Sequence, residues 1–259
     1  MLKEPESFKF NFETRDMHET ARQRLEQLKP QLKAESERLR KFGAPVEDDA
    51  RIDMKAFSQI GRYDPKMIAA DLDEIAQKEK LFQSQNQPEE LAAKNIGELL
   101  EVTKTILFNR YWFKKNFIAL RTSKFDDYKS GVDELVFDTY TRKPFAVIDM
   151  TTISKDIGVK VRRGGQIKYG LKWEKKNFEP RSLENLPVFV VQIKNEQVLG
   201  LAREVLAGEL SPESQSMEKS ILVELKRQCE DFSATAPNKL SADAYKEAAD
   251  VFETILKNL

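Results

Sequence analysis

Cysteine and histidine are almost missing from this sequence, with Cys229 and His18 the sole examples. A lone cysteine excludes an internal disulfide and any cysteine-cluster zinc site. A lone histidine excludes an HEXXH zinc site and every mechanism built on a pair of histidine ligands. A nucleophile triad would have to rest on His18, which falls in a charged helical segment rather than the fixed, partly buried place such a base needs. Neither GxxxxGK[ST] nor GxGxxG occurs, so there is no ready-made phosphate cradle. No apolar run approaches the ~20 residues of a membrane span. The polar start, MLKEPESFKF, holds no secretory apolar stretch. A soluble, cytoplasmic protein with no membrane partner is expected. An excess of one charge is lacking too: 43 basic and 43 acidic residues leave a net of +0, so only local charge can point to a partner. Any chemistry must come from carboxylates and lysines.

What is present is enough apolar material for a core, 40% of 259 residues, in a chain long enough for one large domain or two small ones. Residues 1–13 look extended around Phe8, Phe10 and Phe12. Residues 16–42 read as a helix with a narrow seam of Ala21, Leu25, Leu28, Leu32, Leu39 and Phe42. Pro30 is expected to kink or split it. The seam suits a helix packed on its neighbour or a short dimerising coiled coil. GAPVEDDARID reads as a loop, and 65–83 as a second helix. A third, 89–113, carries an apolar stripe wide enough to lie on a sheet. FIALRTS, the segments 132–138 and 144–150, and LPVFVVQIK read as strands. Helices follow at about 196–207, 212–232 and 241–258, with Ser211 and Ser241 as N-caps. The fold class is therefore α/β: a small mixed sheet flanked by helices. An N-terminal helical region covers 1–88, the α/β core 89–208 and C-terminal helices 209–259.

Two acids interrupt strands that otherwise belong in a core. A hairpin closed symmetrically about Thr141 sets Asp133 directly opposite Asp149, on one face of the sheet. Cross-strand neighbours have Cβ atoms ~4.5–5.5 Å apart, and like charges that close are destabilising. Two readings stay open. A divalent cation such as Mg²⁺ between them would offset the repulsion. Alternatively both acids mark strand ends and reach solvent. A slip of one residue would separate them.

The stretch DDYKSGVDELVFD…PFAVIDMT resembles the core of the PD-(D/E)XK nuclease superfamily. The resemblance covers about residues 95–195. It implies that Asp133 and Asp149 bind Mg²⁺ or Mn²⁺, with Glu98 or Glu101 of the preceding helix assisting. It also implies hydrolysis of phosphodiester bonds in nucleic acid, DNA in preference to RNA. The family's lysine falls at position 151, where this chain has Thr151. A catalytic lysine would then come from Lys155 or Lys160, with Lys168 a further candidate.

Residues 155–176, KDIGVKVRRGGQIKYGLKWEKK, hold eight basic residues against Asp156 and Glu174, a local net charge of +6. Arg162, Arg163, Lys168, Lys172 and Lys175 are the expected phosphate contacts, with Tyr169 and Trp173 as rings to stack on bases. Gly164, Gly165 and Gly170 permit close backbone approach. The alternative is a solvated basic loop with two core-packing aromatics. Two further readings of the chain stay open: a catalytically inactive PD-(D/E)XK-like module that binds nucleic acid or protein, and a helical assembly or adaptor protein, in either case with a possible homodimer or protein partner through the helices.

Overall fold

The computed structural model describes residues 6–59, 61, 63–84, 88–152, 165–174, 177–236 and 238–259. Helix α1 (Glu6–Lys41) begins where the sequence suggested extended chain. The period-two phenylalanines mimic a strand, but no breaker separates them from the long helical segment that follows. Pro30 lies inside α1, which runs on past it as one helix. The apolar seam of α1 is buried against α4 (Pro88–Arg110) and α6 (Asn195–Ala207). Phe42 lies beyond the helix end and is exposed, with the Arg38 guanidinium over its ring. Glu35, the one acid on the seam, is buried and held by Arg38 and by Arg110 of α4. That ion-pair bridge lets a carboxylate occupy a core position.

The 46–52 segment follows, then α2 (Ala56–Gln59) and α3 (Pro65–Ser84). After α4 and a 3₁₀ turn (Trp112–Lys115) come β1 (Phe117–Arg121), α5 (Lys124–Ser130), β2 (Glu134–Asp138) and β3 (Pro144–Thr151). β6 (Val188–Gln192) completes a four-stranded mixed sheet in the order β1-β2-β3-β6. The first two pairings are antiparallel, and β3 runs parallel to β6. Glu134 faces Ile148, Leu135 faces Val147 and Val136 faces Ala146, which is the expected symmetric register. A bulge between Val136 and Phe137 absorbs the turn.

Both outer strands of this sheet meet a helix side chain. The Asn109 amide of α4 bonds the N–H and C=O of Ala119 on β1, at 3.0 and 2.8 Å. The Gln228 amide of α7 (Pro212–Thr235) does the same for Val190 on β6, at 3.2 and 2.8 Å. Ser211 caps α7 as expected. The last helix, α8 (Lys239–Asn258), is capped by Asn238, which accepts from the Ser241 N–H, three residues before the serine the sequence suggested.

Between β3 and β6 the chain forms a second, two-stranded sheet, β4 (Gly165–Glu174) and β5 (Asn177–Leu186). The basic stretch is thus a strand over much of its described length. Its glycines do admit a close backbone, but the backbone is that of β5. A Cβ at Gly165 would stand 2.3 Å from the Leu186 carbonyl oxygen, and one at Gly170 2.8 Å from that of Arg181. Buried side chains from α1, α3, α4, both sheets and α6–α8 form one hydrophobic cluster. Among the described residues no helix is long and apolar enough to cross a membrane.

Candidate functional site

Ser123 begins the site. Its hydroxyl caps α5, accepting from the Asp126 N–H at 3.1 Å and donating to the Asp126 carboxylate at 2.6 Å. The stretch SKFDDYKSG is therefore a capped helix. Gly131 closes it in the left-handed region at φ 65, a conformation that glycine adopts without strain. The chain then drops into Asp133, whose carbonyl accepts from the Thr122 N–H at 2.9 Å, and enters β2. Continuing the observed register one residue beyond Glu134 and Ile148 sets Asp133 across from Asp149. Asp149 is buried at 2% exposure on β3, and Thr151 follows it on the same strand.

Asp126 and Asp127, adjacent on α5, do separate work. Asp126 is buried and accepts the main-chain N–H groups of Lys168 and Tyr169, at 2.7 and 3.1 Å, so it docks β4 onto α5. Burial raises its pKa, although the bonds from Ser123, Lys168 and Tyr169 oppose the rise. Asp127 instead faces Arg51, 3.0 Å away.

Arg51 arrives from the 46–52 segment, which bridges to the end of β1. The Ile52 N–H donates to the Arg121 carbonyl at 2.9 Å, and the Arg121 N–H to that of Ala50 at 3.1 Å. Arg51 and Arg121 both reach Glu101 of α4, Arg51 at 2.9 Å. Asp49 stands 3.5 Å from Arg51 and 3.7 Å from Arg121. One turn along α4, the buried Lys104 amine lies 3.3 Å from Asp133 and 3.9 Å from Glu134. Glu134 is fully buried and accepts the Thr105 hydroxyl.

Five carboxylates thus meet three cations at one end of the sheet, and their ionisation follows. Burial opposes the Arg51 charge, but Glu101, Asp127, Asp49 and Asp133 outweigh it and raise its pKa. Burial likewise opposes the Lys104 charge, and Asp133, Glu134 and Glu101 reverse the effect. Glu134 is pushed up by burial against the pull of Lys104, Thr105 and Arg121. Asp127 is pushed up to about 6, chiefly by burial and then by Glu101 and Asp133, despite Arg51.

The fit to a divalent metal is poor. Asp133 points an oxygen at Lys104, and one Glu101 oxygen is shared by two guanidiniums. Among the described residues no three acids, histidines or cysteines converge as a metal ligand set. Mg²⁺ or Mn²⁺ held by Asp133 and Glu101 would have to displace Lys104 from the first and Arg51 and Arg121 from the second.

Of the two helix acids expected from the sequence, Glu101 joins the cluster and Glu98 points to solvent. Lys168 pairs with Asp71 and lies over the Phe125 ring at 4.7 Å. Lys172 pairs with Glu174. Tyr169, expected to stack on bases, is fully buried among Phe57, Tyr63 and Phe125, and its hydroxyl donates to Asp71. Lys155, Lys160, Arg162, Arg163 and Lys175 lie outside the described residues. Arg51, Lys104 and Glu134 escaped the sequence reading. Lys104 had a signal: it falls four residues after Leu100 and three before Leu107, on the apolar stripe of its helix. No known family model, curated protein or solved structure matches this chain.

Proposed function

We propose that the chain is a nucleic-acid-binding module with a PD-(D/E)XK-like core whose acidic end is neutralised by the chain's own cations and does not cleave. One observation carries this reading: Glu101, Asp127 and Asp133 are each already paired, with Arg51, Arg121 or Lys104. Thr151 supports it, because the strand offers no amine where the superfamily's lysine stands. The resemblance itself is supported by the element order. A long helix precedes β1, three strands follow in meander, and the last strand lies parallel to β3. Nucleic acid is the ligand class that agrees with that resemblance and with the +6 segment.

The test is a cleavage assay beside a binding assay. Plasmid DNA, single-stranded DNA and RNA are incubated with Mg²⁺ or Mn²⁺ and with wild type or Asp133→Asn. Binding at low salt and no cleavage by either protein are expected. Cleavage by wild type that Asp133→Asn abolishes would overturn the reading. One observation favours that second reading, a working nuclease: a lysine amine does lie beside Asp133, that of Lys104 rather than of Lys155 or Lys160. It requires Asp133 and Glu101 to exchange their present cations for a metal.

A further inference from the structure

The turn joining β2 to β3 is built more rigidly than a connection needs. The Asp138 carboxylate accepts the N–H of Tyr140 at 3.0 Å, the N–H of Thr141 at 3.1 Å and the Thr141 hydroxyl at 2.6 Å. Its main chain accepts from Arg142 at 2.8 Å and donates to Lys143 at 3.0 Å. Arg142 holds φ 60, a left-handed conformation that glycine or asparagine takes with less strain. The turn thereby fixes where the Arg142 side chain leaves the main chain.

That side chain lies over Trp173 of β4, its guanidinium carbon 5.3 Å from the ring centroid. Trp173 is in turn stacked on Phe178 of β5, 5.0 Å between centroids and 21° between planes. The layered group sits in an open groove of about 820 Å³ between the turn and the β4–β5 hairpin. Lys143, Arg181 and Lys172 also line it, against the acids Glu174 and Glu184. Lys172 pairs with Glu174, and the lining as a whole holds four cations against two acids. The Trp173 indole N–H is enclosed and has no hydrogen-bond partner among the described residues. Beside the groove Tyr140 is 94% exposed, an aromatic ring presented bare to solvent.

We infer that this groove binds single-stranded nucleic acid, with Arg142, Lys143 and Arg181 on successive phosphates and the exposed Tyr140 ring taking an unpaired base. Cations interleaved with rings suit a strand whose base faces are free, because stacking needs an unpaired base and phosphate contact needs only charge. The groove adjoins the opposite end of β2 and β3 from Asp133 and Asp149, five residues of strand or roughly 17 Å away. It is thus separate from the acidic cluster. The inference rests on the nucleic-acid reading above and gives it a place and a strand type.

The test uses the full chain and a labelled oligo(dT) of roughly 15 nucleotides, a length suited to one such groove. Fluorescence anisotropy is followed as salt rises, with a duplex and polyglutamate as competitors. Tyr140→Ala removes an exposed ring and is expected to weaken binding about tenfold, the scale of one stacked base. Arg142→Gly is expected to weaken binding and to lower the log–log salt slope by about 0.7. Its Tm should stay at the wild-type value, since relief of strain offsets the added freedom of the unfolded chain. Oligo(dT) binding that both variants leave intact overturns the groove and spares the nucleic-acid reading. Equal competition by duplex or polyglutamate also overturns the groove. Absence of binding to any nucleic acid overturns both.

Discussion

Asp127→Asn is expected to stabilise the protein at neutral pH, although it deletes one partner of a 3.0 Å ion pair. An aspartate ordinarily ionises near 3.9, and Asp127 is pushed up to about 6 by burial, then by Glu101 and Asp133, against Arg51 and Arg121. The folded protein therefore holds a proton there that the unfolded chain has released between about pH 4 and 6. The ionised carboxylate carries no penalty below about pH 4, a growing one through that window, and the full one above pH 6. Two pKa units correspond to about 3 kcal/mol. The side chain is 22% exposed, and solvent screening reduces that to about 1–2 kcal/mol. Asparagine matches the protonated side chain in shape and leaves Arg51 with Glu101 and Asp49. Urea unfolding should then show the variant more stable by about 1–2 kcal/mol near pH 7.5, a Tm gain of roughly 2–8 °C, and the two proteins converging by about pH 4. A variant less stable than wild type near pH 7.5 would refute the reasoning, because Arg51 would then need the charge of Asp127 more than burial opposes it.

Lys104→Met should destabilise by about 3–5 kcal/mol in the same assay, since Asp133 and the fully buried Glu134 lose the cation they share. Adding Glu134→Gln should recover much of that loss, and a purely additive double variant would count against the coupling. Gln228→Leu should cost about 1–3 kcal/mol by urea unfolding, because Val190 loses the partner of both its main-chain polar groups. An unchanged midpoint would show that water replaces the amide there.

The hairpin was legible because two apolar runs flank a short polar loop, and closing them symmetrically about Thr141 gives the register observed. Asp133 and Asp149 could be placed from that alone. The cations that face the acids could not. Arg51 comes from a loop dozens of residues upstream, and its position depends on a main-chain bridge to Arg121 that no local pattern encodes. Strand β4 was hidden by its charges. Ile167, Tyr169, Leu171 and Trp173 alternate with period two, but the lysines and glycines between them drew attention to net charge instead. β5 was harder still, with Pro180 inside it and Asn185 at φ 58. Lys168 shows the hazard of reading charge as availability: its amine is engaged by Asp71 and its N–H by Asp126.

The amides of Asn109 and Gln228 have a consequence for assembly. Each offers one donor and one acceptor to an outward-facing residue, and so imitates a single rung of a neighbouring strand. On β1 the rung at Ala119 is followed by the bridge from Ile52 and Ala50 to Arg121. On β6 the rung at Val190 is joined by the Tyr245 hydroxyl at Val188. A fifth strand from another chain would find these outward groups already engaged at both margins. The four-stranded sheet is thereby closed to β-augmentation and to edge-to-edge stacking.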